Sequence, residues 1–419
     1  MAVATEHSPG LDSSSKHNDS PLPSPAPLYK RIKWFNFAML VVIPFWAFLQ
    51  VPHVPLHRKT LLLSVVYYFM TACSLTAGYH RLSAHRSYTA SPLLKVLLAS
   101  FGAGAVQGSI KFWVREHRLH HRYTDTERDP YNIKQGFLHA HILWVLVKTP
   151  HSRRSTATRA DISDLTSDPI VVLQHKYYFL AGLGMGWLFP AAVAGFGWGD
   201  WYGGFLYAGI LRSFFVNQAT FCVNSLAHYL GEQPFDDRRT PRDHALTALI
   251  TMGEGYHNFH HEFPSDYRNG IEWWHVDVTK WVIWGFELSG LARGLKRFRQ
   301  NEIELGRIQQ MYKKLNVKGE GLDWGRPLTS LPVMEWGEYR DAVVRGGKAL
   351  LVVEGVVHDV QGFMSEHPGG ELMIRSMLGK DATTLFNGGV YDHSNAARNM
   401  LSTLRVAALR GGGEVEVLH

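Results

Sequence analysis

Four apolar blocks dominate the chain: Trp34 to Val51, Leu61 to Gly78, Tyr177 to Phe196 and Trp201 to Val223. Each is close to the ~20 residues that carry a helix across a bilayer core. Lys30, Arg31 and Lys33 precede the first block, and basic residues mark the cytosolic end of a span. The blocks therefore pair into two transmembrane hairpins with all ends in the cytosol. The first turns through Pro52 to Lys59, the second through Gly197-Trp-Gly-Asp200. Another apolar piece, Pro92 to Trp113, is interrupted by Gly102, Gly104 and Gly108. It is expected not to cross, because a crossing would put the histidines before and after it on opposite sides of the membrane.

The remaining segments are polar. Residues 1–29 are rich in Ser, Pro and Asp and read as a disordered tail. They lack the basic start and immediate apolar run of a secretory signal. His151-Ser-Arg-Arg154 lies in a basic loop between the hairpins, a cytosolic placement. Ile271 to Phe298 carries Trp273, Trp274, Trp281 and Trp284, and the last three near helical spacing predict an interfacial amphipathic helix. The membrane part thus runs over residues 30–298. A charged helix and linker follow over 299–327. A separate soluble domain spans 328–409, with short strands at Leu350 to Val353 and Val356 to Val360 around Glu354-Gly355, and a tail covers 410–419.

Composition supports this division. Hydrophobic residues make up 46% and charged residues 19%, low for a water-soluble chain, and 13 Trp and 17 Tyr suit membrane-interface belts. The net charge of +7 reads as a positive face beside anionic lipid rather than a nucleic-acid surface. The two cysteines, Cys73 and Cys222, sit in apolar runs and form no CxxC, which excludes a disulfide framework or thiolate zinc site.

Histidine carries the chemistry. His117-Arg-Leu-His-His121 puts His117, His120 and His121 on one helix face. The spacing recurs as His257, His260 and His261, and a looser pair, His80 and His85, precedes the first box. His228 follows Asn224 by four residues, so both share a face just after the last block. With four crossings, all of these lie on the cytosolic side. Eight or nine imidazoles are too many for one metal and enough for two. An all-imidazole set suits iron, zinc, copper or nickel better than magnesium or calcium. The soluble domain carries His367-Pro-Gly-Gly370 and His393, and it is where a source of electrons for such a metal site is sought.

His80-Arg-Leu-Ser-Ala-His85, His117-Arg-Leu-His-His121, Asn224-Ser-Leu-Ala-His228 and Gly255-Tyr-His-Asn-Phe-His-His261 resemble the histidine boxes of membrane fatty acyl-CoA desaturases. Asp125-Thr-Glu-Arg-Asp-Pro-Tyr131 and Phe263-Pro-Ser-Asp-Tyr-Arg268 resemble the stearoyl-CoA (delta-9) branch, and Leu331 to Leu409 resembles cytochrome b5, an arrangement similar to the fungal one. The resemblance implies an all-α integral membrane desaturase of four transmembrane helices with a cytosolic helical cap and di-iron site, followed by a small α+β haem domain. It implies that His80, His85, His117, His120, His121, His228, His257, His260 and His261 ligate two irons, with Asn224 in contact through water. His367 and His393 become the axial ligands of haem b. Gln107 and Thr220 fall where the family fixes the bend of its acyl tunnel, Tyr68 and Ala72 at the closed end, and Arg115 and Glu116 near the thioester. The family's animal members carry Asp at the place of Glu116 and Asn at the place of Gly108.

The resemblance further implies insertion of a cis double bond between carbons 9 and 10 of palmitoyl- or stearoyl-CoA. Dioxygen is reduced to two waters with electrons from NADH, passed by a separate cytochrome b5 reductase through the fused haem domain. The expected location is the endoplasmic reticulum membrane, with boxes, N-terminus and haem domain in the cytosol. A desaturase of other regioselectivity or a di-iron lipid hydroxylase uses the same residues. A haem electron carrier with structural zinc is the more distant alternative.

Overall fold

The computed structural model describes residues 27–148, 160–388 and 393–412. The basic loop His151 to Arg154, most of the tail at 1–29 and residues 413–419 lie outside the described residues. The chain divides into two compact units between Tyr312 and Lys313.

The first unit is helical. Among the described residues, Trp34–His53, Arg58–Ala84 and Tyr178–Trp198 are long and apolar enough to cross a membrane. They match three of the four expected blocks. The fourth block lies in a continuous helix over 201–229. It is more polar than the others, because Arg212, Ser213, Asn217, Gln218, Thr220 and Asn224 interrupt its apolar residues. Large apolar side chains face outward on these helices, with Leu180 69% and Phe196 84% exposed. Such a surface is stable against lipid, which also forces the backbone into helices that satisfy their own hydrogen bonds. The hairpin between the third and fourth helices turns at Gly199, whose φ of +79° needs no Cβ. Asp200 then caps the next helix by accepting from the Gly203 amide at 3.0 Å.

The glycine-interrupted segment behaves as its sequence demands. Helix Pro92–Ala103 has 12 residues, about 18 Å at the α-helical rise, too short for a ~30 Å bilayer core. Ser91 caps its start, accepting from the Leu94 amide. The chain then breaks at Gly104 to Gly108 and restarts as helix Ile110–Tyr123, capped by Ser109. A two-residue antiparallel ribbon, Thr89–Ala90 against Ala292–Arg293, ties the start of this region to the unit's far end.

The tryptophan-rich segment departs from expectation. Only Val278–Leu288 of the predicted 271–298 helix is helical. Asp277 caps its start by accepting from the Lys280 amide at 2.9 Å, and Gly290 at φ +73° ends it. Trp281 and Trp284 are on this helix and exposed, whereas Trp273 and Trp274 precede it in a loop. The charged stretch that follows forms helix Gln300–Gly319.

The second unit holds a four-stranded sheet in the order Val333–Met334, Arg405–Leu409, Val356–Asp359, Leu350–Val353. The last two strands form the expected hairpin, with Val353 opposite Val356. Its turn residues Glu354 and Gly355 have φ of +52° and +75°, the paired positive values of a type I′ turn, whose twist matches the strands. One face of the sheet packs on Tyr339. The other packs on Met364 and Ile374, in the elements flanking the His367 turn.

Candidate metal and haem centres

The nine histidines come from four places in the first unit. His117, His120 and His121 project from helix Ile110–Tyr123. His257, His260 and His261 sit on the short helix His257–Glu262, whose first amides are held by Asp243: Oδ1 accepts from Asn258 N at 2.8 Å and Phe259 N at 3.2 Å. His228 ends the helix over 201–229.

His80 and His85 are the instructive pair. On an α-helix a spacing of five separates side chains by roughly 140°. The chain instead forms a π-helix over Ser74–Ala84, with the His85 amide bonded to the His80 carbonyl at 3.1 Å. This wider turn stacks positions five apart, and the two rings lie 4.7 Å centroid to centroid. Such turns are rare and concentrate at functional sites.

The imidazoles fall into two groups. His80, His85, His117, His121 and His260 place one nitrogen each within 4.8 Å of one another, and so do His120, His228, His257 and His261. Nε2 atoms face each other inside each group: His80 to His260 at 3.0 Å, His85 to His117 at 2.8 Å, His120 to His261 at 3.3 Å and His257 to His261 at 3.1 Å. Two nitrogens bound to one metal at about 2.1 Å are roughly 3.0–3.4 Å apart. The spacing fits a metal at the centre of each group.

Tautomer follows from the outer partners. His80 Nδ1 meets Glu254 Oε2 at 2.8 Å, and His120 Nδ1 meets Asp129 Oδ1 at 2.9 Å. A carboxylate only accepts, so Nδ1 donates and Nε2 keeps its lone pair for a metal. His228 Nδ1 lies 2.8 Å from Thr240 Oγ1, which itself donates to Asp125 Oδ1 at 2.6 Å. His228 Nε2 is buried without a protein partner, as an inward-facing ligand atom would be. His257 and His260 differ, since their buried Nδ1 atoms have no protein partner. Burial first, then neighbouring imidazoles, holds His117, His121, His257, His260 and His261 well below the usual imidazole range, in the neutral ligating form. Burial pushes the Glu254 carboxyl up, but His80 and Arg81 outweigh it and hold Glu254 at about 2. Arg81 is in turn fixed by Asp277, with Nη2 to Oδ1 at 2.9 Å.

A cavity of about 470 Å³ lies against this cluster, within the range of small-molecule sites. His80, His117, His120 and His257 form part of its wall, together with Asn224. Tyr68, Ala72, Gln107, Glu116 and Thr220 also line it. Gln107 Nε2 donates to Thr220 Oγ1 at 2.9 Å across the wall. Arg115 is not among the described wall residues; it pairs with Glu116 at 2.6 Å. Trp113 lines the cavity and stacks on His117 at 5.0 Å. Sequence reasoning assigned no role to Trp113, Glu254, Asp129 or Thr240. Trp113 could have been found one turn before His117, whereas the others are brought in by loops.

In the second unit, His367 and His393 lie 6.3 Å apart between ring centroids. An iron bound midway, about 2.0–2.1 Å from each Nε2, sets the centroids roughly 6–6.5 Å apart, so the pair fits two axial ligands. Their Nδ1 atoms donate to backbone carbonyls, Gly370 O at 3.1 Å and Phe386 O at 3.0 Å. Gly369 lies close under the ring: a Cβ there would stand 2.8 Å from His367 Cε1 and push the imidazole aside.

Comparison with known proteins agrees with both centres. The fatty acid desaturase family model matches residues 58–291, and the cytochrome b5-like haem/steroid binding domain matches residues 336–410. The chain is 48% identical over 389 residues to a probable acyl-CoA desaturase of Schizosaccharomyces pombe, covering 93% of this chain and 80% of the relative. It is 49% identical over 384 residues to acyl-CoA desaturase 1 of Saccharomyces cerevisiae, covering 91% and 74%. Stearoyl-CoA desaturase of Homo sapiens is 34% identical over 296 residues, covering 70% and 81%. Nine converging imidazoles beside an apolar cavity, a paired-histidine haem fold and these relatives lead to one conclusion: the chain belongs to the fatty acid desaturase family and carries a cytochrome b5-like haem domain at its C-terminal side.

Proposed function

We propose that this protein is an acyl-CoA delta-9 desaturase, forming a cis double bond between carbons 9 and 10 of saturated C16 and C18 acyl-CoA. The observation that carries the proposal is the apolar cavity running from the nine-imidazole cluster to Tyr68 and Ala72 on the second long helix. A pair of irons supplies dioxygen activation when bound, and an all-imidazole set with neutral rings suits iron. The nine histidines are proposed as its ligands, with Asn224 in contact through water. Glu254, Asp129 and Thr240 hold the Nδ1 protons and so orient three of the rings.

The remaining side chains position and enclose. Gln107 and Thr220 hold the acyl chain's bend beside the cluster, Tyr68 and Ala72 close the cavity, and Arg115 with Glu116 lies near the thioester. Binding of this kind converts an unactivated C–H bond into a near neighbour of the oxidant while excluding water. The net reaction consumes one dioxygen, two electrons and two protons and releases two waters. His367 and His393 are proposed as the axial ligands of haem b in the fused domain, which receives electrons from an NADH-dependent cytochrome b5 reductase. Fusion raises the donor's effective concentration. We place the chain in the endoplasmic reticulum membrane with four crossings, the helix over 201–229 being the fourth. The membrane domain then spans 30–298 and the haem domain 328–409.

Gas chromatography of fatty acids from a desaturase-deficient host expressing the full chain tests this. Cis-9 C16 and C18 monoenes are the expected products. A hydroxylated product, or a double bond at another position, replaces the proposal with one of the alternatives on the same site.

A further inference from the structure

Arg212 is 3% exposed, near the middle of the helix over 201–229. A buried arginine in a membrane-spanning helix is expensive and normally marks function. Its described partners are neutral oxygens rather than a carboxylate. Nε donates to Ala208 O at 3.0 Å, Nη1 to Thr71 Oγ1 at 3.2 Å and Gly104 O at 2.8 Å, and Nη2 to Gly186 O at 2.7 Å. Its guanidinium lies 4.6 Å over the Tyr67 ring, whose hydroxyl donates to Met185 O. One side chain thus joins the second, third and fourth long helices and the broken segment after Pro92–Ala103.

Its position relative to the cavity gives this hub a purpose. His228, Asn224, Thr220, Val216 and Arg212 follow one another every four residues, an approximate stripe on one helix face. Asn224, Thr220 and Val216 line the cavity, and Arg212 is the next step, beyond its wall. On the second helix Thr76, Ala72 and Tyr68 line it, and Thr71 and Tyr67, Arg212's partners, stand beside Ala72 and Tyr68. Gly104 precedes Val106, and Gly186 follows Leu183, both wall residues. Gly104 O is also a helix-end carbonyl with no successor in its own helix, a group that must find a donor inside a bilayer. Asn217 supports the same break, donating to Ala105 O at 3.1 Å. Gly186 and Val106 are in close register, since a Cβ at Gly186 would stand 2.7 Å from Val106 Cγ2.

We propose that Arg212 is a positioning residue that fixes the floor of the acyl cavity, and thereby sets the longest chain the enzyme accepts. This rests on reading the cavity as the acyl site. Arg212 touches no substrate; it holds Val106, Leu183, Val216 and Ala72 in place through the backbone beside them.

The test uses the full chain in a desaturase-deficient host fed saturated acids of 14 to 20 carbons, with Arg212→Lys and Thr71→Val variants. Acyl-CoA binding to the purified full chain, measured against chain length, reads the floor without turnover. Iron content and haem absorbance report whether each variant is intact. Both variants are expected to keep iron and haem while the ratio of longer to 16-carbon products, and of the matching affinities, rises about tenfold, the scale of one methylene in an apolar pocket. Intact variants whose ratios stay within about twofold of the parent on that scale, or move toward shorter chains, overturn the proposal. Should Arg212→Lys fail to accumulate, Thr71→Val decides alone by the same ratios. A parent chain that yields no desaturated product removes the functional reading, and the binding profile then still decides the role of Arg212.

Discussion

The nine-imidazole cluster and the His367–His393 pair use the same side chain in opposite settings. In the cluster, six imidazoles are buried and the other three partly so. The Nδ1 atoms of His80, His120 and His228 meet side chains, with Glu254 and Asp129 bringing negative charge to the first two rings. In the haem domain, both histidines are half-buried and both Nδ1 protons go to backbone carbonyls. A largely buried cluster of imidazoles beside an apolar cavity suits the dioxygen chemistry proposed for it. A solvent-facing pair with both axial positions filled suits electron exchange. The surrounding residues, more than the imidazoles, separate the two chemistries.

The largest break comes from removing a ligand on either side. His120→Ala removes a donor of the four-histidine group and leaves Asp129 with only the backbone amides of Asp125 and Tyr131 as partners. Loss of desaturation to background is expected, with iron per chain falling by at least one while the haem absorbance persists. His367→Ala should do the converse: haem is lost, iron is retained, and activity disappears unless a separate cytochrome b5 is supplied. Metal analysis and the Soret band, measured on the same samples, check both. A His367→Ala chain that desaturates at full rate without added donor ends the electron-transfer assignment.

His358 supplies the control of a buried imidazole that is not a ligand. It is 3% exposed, with Nδ1 donating to Leu401 O at 2.9 Å. Burial lowers it from 6.5 to about 4. The folded pKa is below the unfolded one, so the unfolded chain takes up a proton first as pH falls. Stability is therefore full above about pH 6.5 and declines down to about pH 4, by at most about 3 kcal/mol. Denaturant unfolding of the haem domain in the full chain, followed by Soret loss between pH 7 and 4, should show this slope. His358→Leu should flatten it without moving the haem spectrum. An unchanged slope in the variant assigns the acid sensitivity elsewhere.

Glu254→Gln probes the outer partners themselves. The shape is kept, but the negative charge facing His80 and Arg81 is lost. A 10–100-fold weaker hold on iron is expected for an orienting carboxylate of this kind, measured by chelator challenge of the purified full chain. Haem retention should not change, since the Nδ1 atoms of His367 and His393 meet the backbone carbonyls of Gly370 and Phe386 and not Glu254. Equal iron loss rates in variant and parent would leave Glu254 a purely structural partner of Arg81.

These outer features also show where sequence reading stops. Histidine spacing located the two triplets His117, His120, His121 and His257, His260, His261, because positions three and four apart share an α-helical face. His80 and His85 looked loose for the same reason, and only a π-helix brings them together. Apolar runs located the long helices, and the glycines at 102, 104 and 108 marked the break that shortens Pro92–Ala103. The tryptophan periodicity overstated a helix that Asp277 and Gly290 confine to Val278–Leu288. Glu254, Asp129 and Thr240 reach their histidines through loops, a juxtaposition that no local period encodes. Arg212 was hidden in a run that looked like an ordinary span, although its cost in lipid was legible.

Thr220→Val is the mildest change and the sharpest test of positioning. Thr220 Oγ1 accepts from Gln107 Nε2 and donates to Val216 O at 3.0 Å. Valine keeps the shape and removes the hydrogen bond that ties the break at Gly104 to Gly108 to the helix over 201–229, worth about 1 kcal/mol, or roughly fivefold in an equilibrium. No metal or haem ligand is touched, so iron content and the Soret band should match the parent. Where the bond goes should change: if this pair holds the chain's bend beside the cluster, its loss lets neighbouring carbons compete. The share of product with the double bond one position away is expected to rise about fivefold over the parent's if that free energy is lost entirely. Mass spectrometry of disulfide adducts of the products locates the bond. A variant with lower yield and unchanged position means that Gln107 and Thr220 hold helices together but do not aim the substrate, and places the bend's control in other wall residues.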